Sequence, residues 1–221
     1  MSEILIVSGG PEQGAFEQEY IRTHSFSYTI AADAGMKLCR EAGLLPDLIL
    51  GDFDSADSDC FAYFHQRIPE RMKRYPVHKD ETDTELALNA AIARWKEHPA
   101  REGIVILSAL GGRVDHLLGN IHLLETAVAA GVSCRLINRQ CSVRMVDRDT
   151  VLRRQELFGR YVSLIPYGGP VRGLTLTGFE YCVQNFTLQT GRSRGISNEL
   201  REETGTISME EGRLLVIEAS D

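Results

Sequence analysis

The sequence predicts an α/β protein in which a mainly parallel sheet flanked by helices is followed by a smaller antiparallel β-sandwich. Up to about residue 140, short wholly apolar runs ending in Gly or Asp alternate with stretches of helical periodicity, the pattern of a parallel sheet buried on both faces. Beyond that point, β-branched residues alternate or cluster between Gly-rich turns with no helical stretch between them, the pattern of antiparallel strands. No repeat, low-complexity run or linker separates the parts, which are placed at 1–140 and 141–221.

The first apolar run, in MSEILIVSGG, follows a single acidic residue and lacks a basic leader and a small-residue cleavage site, so it is read as a core strand and not a signal peptide. That reading predicts a cytoplasmic protein. Glu12 to Arg22 has helical periodicity, YTIAADAG is a second strand, and Met36 to Glu41 a second helix. PDLILGDFDS is a third strand running into an acidic turn, with Asp57 placed to cap the helix after it. Thr82 to Glu97 forms the next helix, and Thr82 with Glu85 reads as a capping box at its start. GIVILSALGG is another strand. In the helix from Val114 to Ala129, the stripe Val114, Leu117, Leu118, Ile121, Leu124 and Val128 leaves Asp115, His116 and Asn120 off the apolar face. Trp95 falls in register with Leu88 and Ile92 and is expected in the core, while His24, His65, His98 and His122 are isolated. In the second part, SVRMVDRDTVLRR, YVSLIPYG, VRGLTLTGF, CVQNFTLQT and GRLLVIEAS are the strand candidates.

Composition narrows the function. Hydrophobic residues make up 43% and charged residues 25% of the chain, and no apolar stretch approaches the ~20 residues that span a bilayer. A net charge of −7 opposes the grip on phosphate backbone that nucleic-acid binding needs. The five cysteines are odd in number and widely spaced, which predicts neither a disulfide framework nor a zinc site.

The chemistry-bearing residues fall at the carboxyl ends of the predicted strands, where open parallel sheets bind ligands. Asp33 follows YTIAA; Asp52 and Asp54 follow PDLIL; Gly111, Gly112 and Arg113 follow GIVILSAL. On extended backbone, Asp52 and Asp54 would point the same way and share one hard cation, and magnesium is satisfied by one or two carboxylates plus substrate phosphates. In Lys79-Asp80-Glu81-Thr82-Asp83-Thr84-Glu85, a lysine ahead of a helix start suits a phosphate, and Asp83 is placed to complete a metal shell. In Gly111-Gly112-Arg113-Val114-Asp115-His116, two glycines let backbone approach a ligand, Arg113 offers a planar fork to phosphate oxygens, and Asp115 can orient Arg113 or His116.

Taken in order, Ala32-Asp33-Ala34-Gly35, PDLILGDFDS, KDETDTELAL, GGRVDHLLGNIHLL and GISNE resemble the thiamine pyrophosphokinase (thiamine diphosphokinase) family, bacterial type, over nearly the whole chain. The resemblance implies an N-terminal domain that transfers pyrophosphate from ATP with Mg2+, a C-terminal sandwich that helps bind thiamine, and a homodimer with thiamine sites at the subunit interface. By motif, Asp52, Asp54 and Asp83 would be the metal acids and, with Arg113, the catalytic set. Asp33, Lys79, Thr82, Gly112, Arg113, Asp115 and His116 would serve ATP, and Tyr181, Ser197 and Asn198 thiamine. The chain departs from the family pattern where Ala34 replaces the first glycine of A-D-G-G, where His78 stands for an acid before Lys79-Asp80, and where Ser108-Ala109-Leu110 precedes the glycine pair. Rival readings are a D-x-D glycosyltransferase and a catalytically silent module that binds thiamine or nucleotide. An aspartyl-phosphate phosphatase fits less well, because Ala56 occupies the place of its Thr or Val.

Overall fold

The computed structural model describes residues 3–54, 57–98 and 103–221, so Ser55 and Ala56 of the acidic turn lie outside the described residues. The chain divides into two compact units, Met1–Arg139 and Gln140–Asp221.

Among the described residues, the first unit contains six strands, β1 (Ile4–Val7), β2 (Tyr28–Ala32), β3 (Leu48–Gly51), β4 (Met72–Arg74), β5 (Ile104–Leu107) and β6 (Cys134–Ile137). They form an all-parallel sheet in the order β4-β3-β2-β1-β5-β6. Every residue of β1 and β5 is fully buried, which is why these strands read as unbroken apolar runs without alternation. The α-helices between the strands are α1 (Ala15–Thr23), α2 (Gly35–Ala42), α3 (Ser58–Arg67), α4 (Asp83–Glu97) and α5 (Val114–Ala129) among the described residues. Helix α2 packs on α1, α3, β1 and β2, and α4 packs on α5 and on β1 to β3.

Helix ends follow from local chemistry. Asp57 caps α3 by accepting from the Cys60 N–H at 2.8 Å, and Thr82 caps α4 by accepting from the Glu85 N–H at 3.2 Å; caps of this kind contribute about 1 kcal/mol each. Gly43, at φ 76°, ends α2 in the left-handed region. Strand order reverses direction between β1 and β5, so the loops leaving these two neighbours diverge and open a crevice at their carboxyl ends.

Several sequence expectations change. Strands β4 and β6 were not among the predicted elements, and helix α3 was anticipated only through its Asp57 cap. Trp95 is half-buried instead of core, and Val114 and Leu118 at the start of the α5 stripe are 66% and 51% exposed, whereas Leu124 is buried.

The second unit has β7 (Cys141–Val146), β8 (Thr150–Arg153), β9 (Tyr161–Thr177), β10 (Val183–Leu188), β11 (Thr204–Ser208) and β12 (Glu211–Ala219). All pairings are antiparallel, in the order β7-β12-β9-β11-β8 with β10 also on β9. The two runs YVSLIPYG and VRGLTLTGF are one long strand. Its first half, Tyr161 to Tyr167, pairs with β12, and its second half, from Val171 on, pairs with β10 and β11. β9 thus belongs to two sheets, whose apolar faces meet in a core that includes Val162, Leu164, Leu174, Leu176, Ile207, Leu214 and Val216.

Candidate active site

In the first unit, a cavity of about 640 Å³ opens at the carboxyl ends of β1, β2, β3 and β5. Asp33, Asp52, Lys79, Thr82, Asp83, Gly111, Gly112, Arg113 and His116 all line it. The Lys79 ammonium is its electrostatic centre, 2.9 Å from Asp83 Oδ1 and 3.3 Å from Asp52 Oδ2. Burial works to depress the Lys79 ammonium, but Asp83 and Asp52 more than offset it and leave its pKa above the ordinary lysine value. Burial pushes the Asp83 carboxyl up, against the pull of Lys79, and the nearby charges of Asp33 and Asp52 push the same way. The Asp54 N–H, donated to Asp52 Oδ1 at 3.0 Å, holds the Asp52 carboxyl below the usual carboxylate range, and Lys79 adds to the effect.

Asp52 and Asp54 do not lie on extended backbone. Phe53 between them has φ 62°, a left-handed conformation that a bulky residue adopts only when its surroundings hold it there. The holding contacts are its ring against Phe61, with centroids 5.3 Å apart, and the Arg74 guanidinium 5.9 Å from its centroid. The turn brings Asp52 to the cavity, while Asp54 is exposed and outside its lining. Among the described residues, no three His, Cys, Asp or Glu side chains are gathered as a ready-made metal cluster. Asp52 and Asp83 instead share Lys79, and two hard oxygen donors at one cavity suit a magnesium ion whose remaining ligands are phosphates and water.

Asp33 is buried with φ 45°, and its N–H donates to the Leu50 carbonyl at 2.8 Å. The following Ala34 is in the right-handed helical region at φ −59°, so the missing glycine costs this backbone nothing. Arg113, also at the cavity, makes a bidentate pair with Asp115, Nε to Oδ1 at 3.1 Å and Nη2 to Oδ2 at 2.6 Å, which holds the Asp115 carboxyl down at about 2. Asp115 is therefore committed to Arg113 and to the His116 N–H and does not line the cavity.

Sequence reading assigned no site role to several polar cavity residues, Ser8, Thr84, Ser108 and Asn120 among them. Ser8 and Thr84 share a buried hydroxyl pair at 2.7 Å, Ser108 stands at φ 57°, and Asn120 donates to the Ala109 carbonyl at 2.8 Å. Of these, Ser8 and Ser108 had a legible signal as the polar residues ending apolar strands, and Asn120 as a polar residue off the apolar stripe of its helix.

In the second unit, a cavity of about 480 Å³ is lined mainly by apolar residues, among them Leu164, Leu176, Val183 and Phe186, with Tyr181 and Asn198 at its wall. The Asn198 side chain accepts from the N–H groups of Tyr181 and Glu199 at 3.0 and 2.9 Å and donates to the Tyr181 carbonyl at 2.9 Å. It clamps the Tyr181 backbone and leaves the ring 70% exposed. Ser197, at φ 56°, turns the chain beside Asn198, but its side chain is exposed and outside the cavity lining.

An open parallel sheet with carboxylates, a lysine and a glycine turn around one crevice, followed by an antiparallel unit with its own apolar cavity, defines an α/β enzyme of phosphate chemistry. Residues 21–136 match the thiamin pyrophosphokinase catalytic domain, and residues 149–214 the thiamin pyrophosphokinase vitamin B1 binding domain. Thiamine pyrophosphokinase of Bacillus subtilis (strain 168) is 34% identical over 221 residues, covering 100% of both chains. The crystal structure of the Bacillus subtilis enzyme superposes with a TM-score of 0.88 at 33% identity over 100% of both chains. That of Geobacillus thermodenitrificans thiamin pyrophosphokinase gives 0.83 at 32% identity, over 99% of this chain and 97% of the other. The chain belongs to the thiamine pyrophosphokinase family.

Proposed function

We propose that the chain transfers pyrophosphate from ATP to the hydroxyethyl group of thiamine, giving thiamine diphosphate and AMP, with ATP in the cavity of the first unit and thiamine in that of the second. The observation that carries this reading is Lys79 bridging Asp52 and Asp83 in the same cavity as Gly111, Gly112 and Arg113. The thiamine hydroxyl oxygen attacks the β-phosphorus of ATP, a new O–P bond forms, the hydroxyl proton passes to solvent, and the bond from that phosphorus to the α-phosphate oxygen breaks to release AMP. Such transfers need little covalent help, so positioning and charge neutralisation dominate.

Asp52 and Asp83 would hold Mg2+, with Asp54 reaching it from the adjoining turn; when bound, the ion neutralises charge on the triphosphate. Lys79 keeps the two acids in place and faces the phosphates. Arg113, oriented by Asp115, offers its guanidinium to the phosphates, and Thr82 fixes the helix start at Asp83. Tyr181, held by Asn198, presents an aromatic face suited to the cationic thiazolium.

A homodimer is supported by the exposed apolar residues Val114 and Leu118 on α5, which a partner copy would cover; light scattering on the wild type and on Leu118→Glu tests it. Placement in the cytoplasm is supported by five cysteines in the thiol state, which a reducing compartment maintains. Among the described residues, no helix is long and apolar enough to cross a membrane.

The test mixes purified protein with thiamine, ATP and magnesium and measures both products. Equal amounts of AMP and thiamine diphosphate are expected. ADP with thiamine monophosphate would reject attack at the β-phosphorus, and a thermal shift without turnover would favour a silent binding module.

A further inference from the structure

The loop after β1 and the loop after β5 are interlocked behind the glycine turn. Gly10 donates its N–H to the Ser108 carbonyl at 3.1 Å, and the Ser108 hydroxyl donates back to the Glu12 carbonyl. Gly112, at φ 71°, packs on Pro11, and a Cβ there would meet the proline ring at 2.8 Å. Gly111, at φ 109°, lies directly on the Glu12 carboxylate, which an added Cβ would approach to 2.9 Å. The carboxylate is fixed from behind, because Asn138, buried at the end of β6, donates its Nδ2 to Glu12 Oε1 at 2.9 Å. The other oxygen, Oε2, is buried with no hydrogen-bond partner. A buried, unsatisfied carboxylate oxygen is costly and calls for an explanation, and Glu12 itself does not line the cavity.

We propose that Glu12, braced by Asn138, is a positioning residue for the triphosphate: its carboxylate is the bed that holds the Gly111-Gly112 turn against the cavity. A glycine pair at positive φ has no side chain to fix it, so its conformation is set by what lies beneath. The inference rests on the reading of this cavity as the ATP site.

Steady-state kinetics with each substrate varied separately tests it. Glu12→Ala should raise the KM for ATP about tenfold with the KM for thiamine unchanged, since misplacement near a reacting group costs up to about a hundredfold. Glu12→Gln keeps an oxygen for Asn138 and should restore the wild-type KM for ATP. Asn138→Ala should reproduce Glu12→Ala, and the double variant should be no worse than either single one. Equal rises in both KM values, additive losses in the double variant, or a Glu12→Gln as impaired as Glu12→Ala would each overturn the proposal. Should Glu12→Ala fail to fold, Asn138→Ala carries the test, because it leaves the carboxylate in place. Lys79→Ala reads the site itself: if it raises the KM for ATP and Glu12→Ala does not, Glu12 loses its role and the site stands. If neither variant moves it, both readings fall.

Discussion

Lys79 and Asp83 face each other at the start of α4, ammonium to carboxylate at 2.9 Å, four residues apart in sequence. The same ammonium reaches Asp52 from β3, so one side chain joins two carboxylates that would otherwise repel. Replacing Lys79 by Ala is expected to lower kcat/KM for ATP by about a hundredfold, the scale for losing a preorganised charge. Lys79→Arg should restore little, because a planar fork does not substitute for a compact ammonium between two acids. AMP release measured at saturating thiamine checks both.

Asp54 is exposed and gives its backbone N–H to Asp52. Asp54→Asn keeps that N–H, so Tm should be unchanged while turnover is abolished if the side chain reaches magnesium. Full turnover with an unaltered magnesium requirement would remove Asp54 from the metal set.

Tyr181→Ala should raise the KM for thiamine about tenfold, the upper range for loss of an aromatic face beneath a cation, and leave the KM for ATP unchanged. Asn198→Ala should act the same way through the Tyr181 backbone. A shift in the KM for ATP in either variant would contradict the division of substrates between the two cavities.

A methyl group on Gly10 would lie 2.1 Å from the Ser108 carbonyl oxygen, backbone against backbone. Gly10→Ala is therefore expected to cost about 1–3 kcal/mol, the range for overpacking, read as a drop in Tm.

Glu12 gives a prediction about pH. Burial pushes its carboxyl up from 4.5, only partly countered by Asn138. A carboxyl raised in the folded state binds its proton more tightly there than in the unfolded chain, so its stabilising contribution is complete below pH 4.5 and is lost as pH rises through the folded value. Glu12→Gln should accordingly have a higher Tm than the wild type near neutral pH, with the difference vanishing below the ordinary glutamate range. A constant difference at every pH would rule this out.

The strand ends that bear Asp33, Asp52 and the glycine pair were legible because a strand buried on both faces is an apolar run, and its end is marked by the first polar residue. β4 was not legible, since Met72, Lys73 and Arg74 at a sheet edge form no such run, and β6 carries Arg135 in its middle, paired with Glu3 at 2.7 Å. The two halves of β9 looked separate because Gly168, Gly169 and Pro170 read as a turn, whereas the backbone there changes partners and continues. Asp52 and Asp54 were read as parallel neighbours because spacing alone assumes extended backbone, and only the packing of Phe53 on Phe61 reveals otherwise. Glu12 offered no local signal at all, because Asn138 stands 126 residues away in sequence.

The passage of β9 from one sheet into the other has a consequence for how the second unit comes apart. Neither layer can peel away while its companion survives, because β9 is the partner of β12 in one and lies between β10 and β11 in the other. Amide protons of β12 and β11, on opposite layers, should therefore exchange with one shared opening free energy.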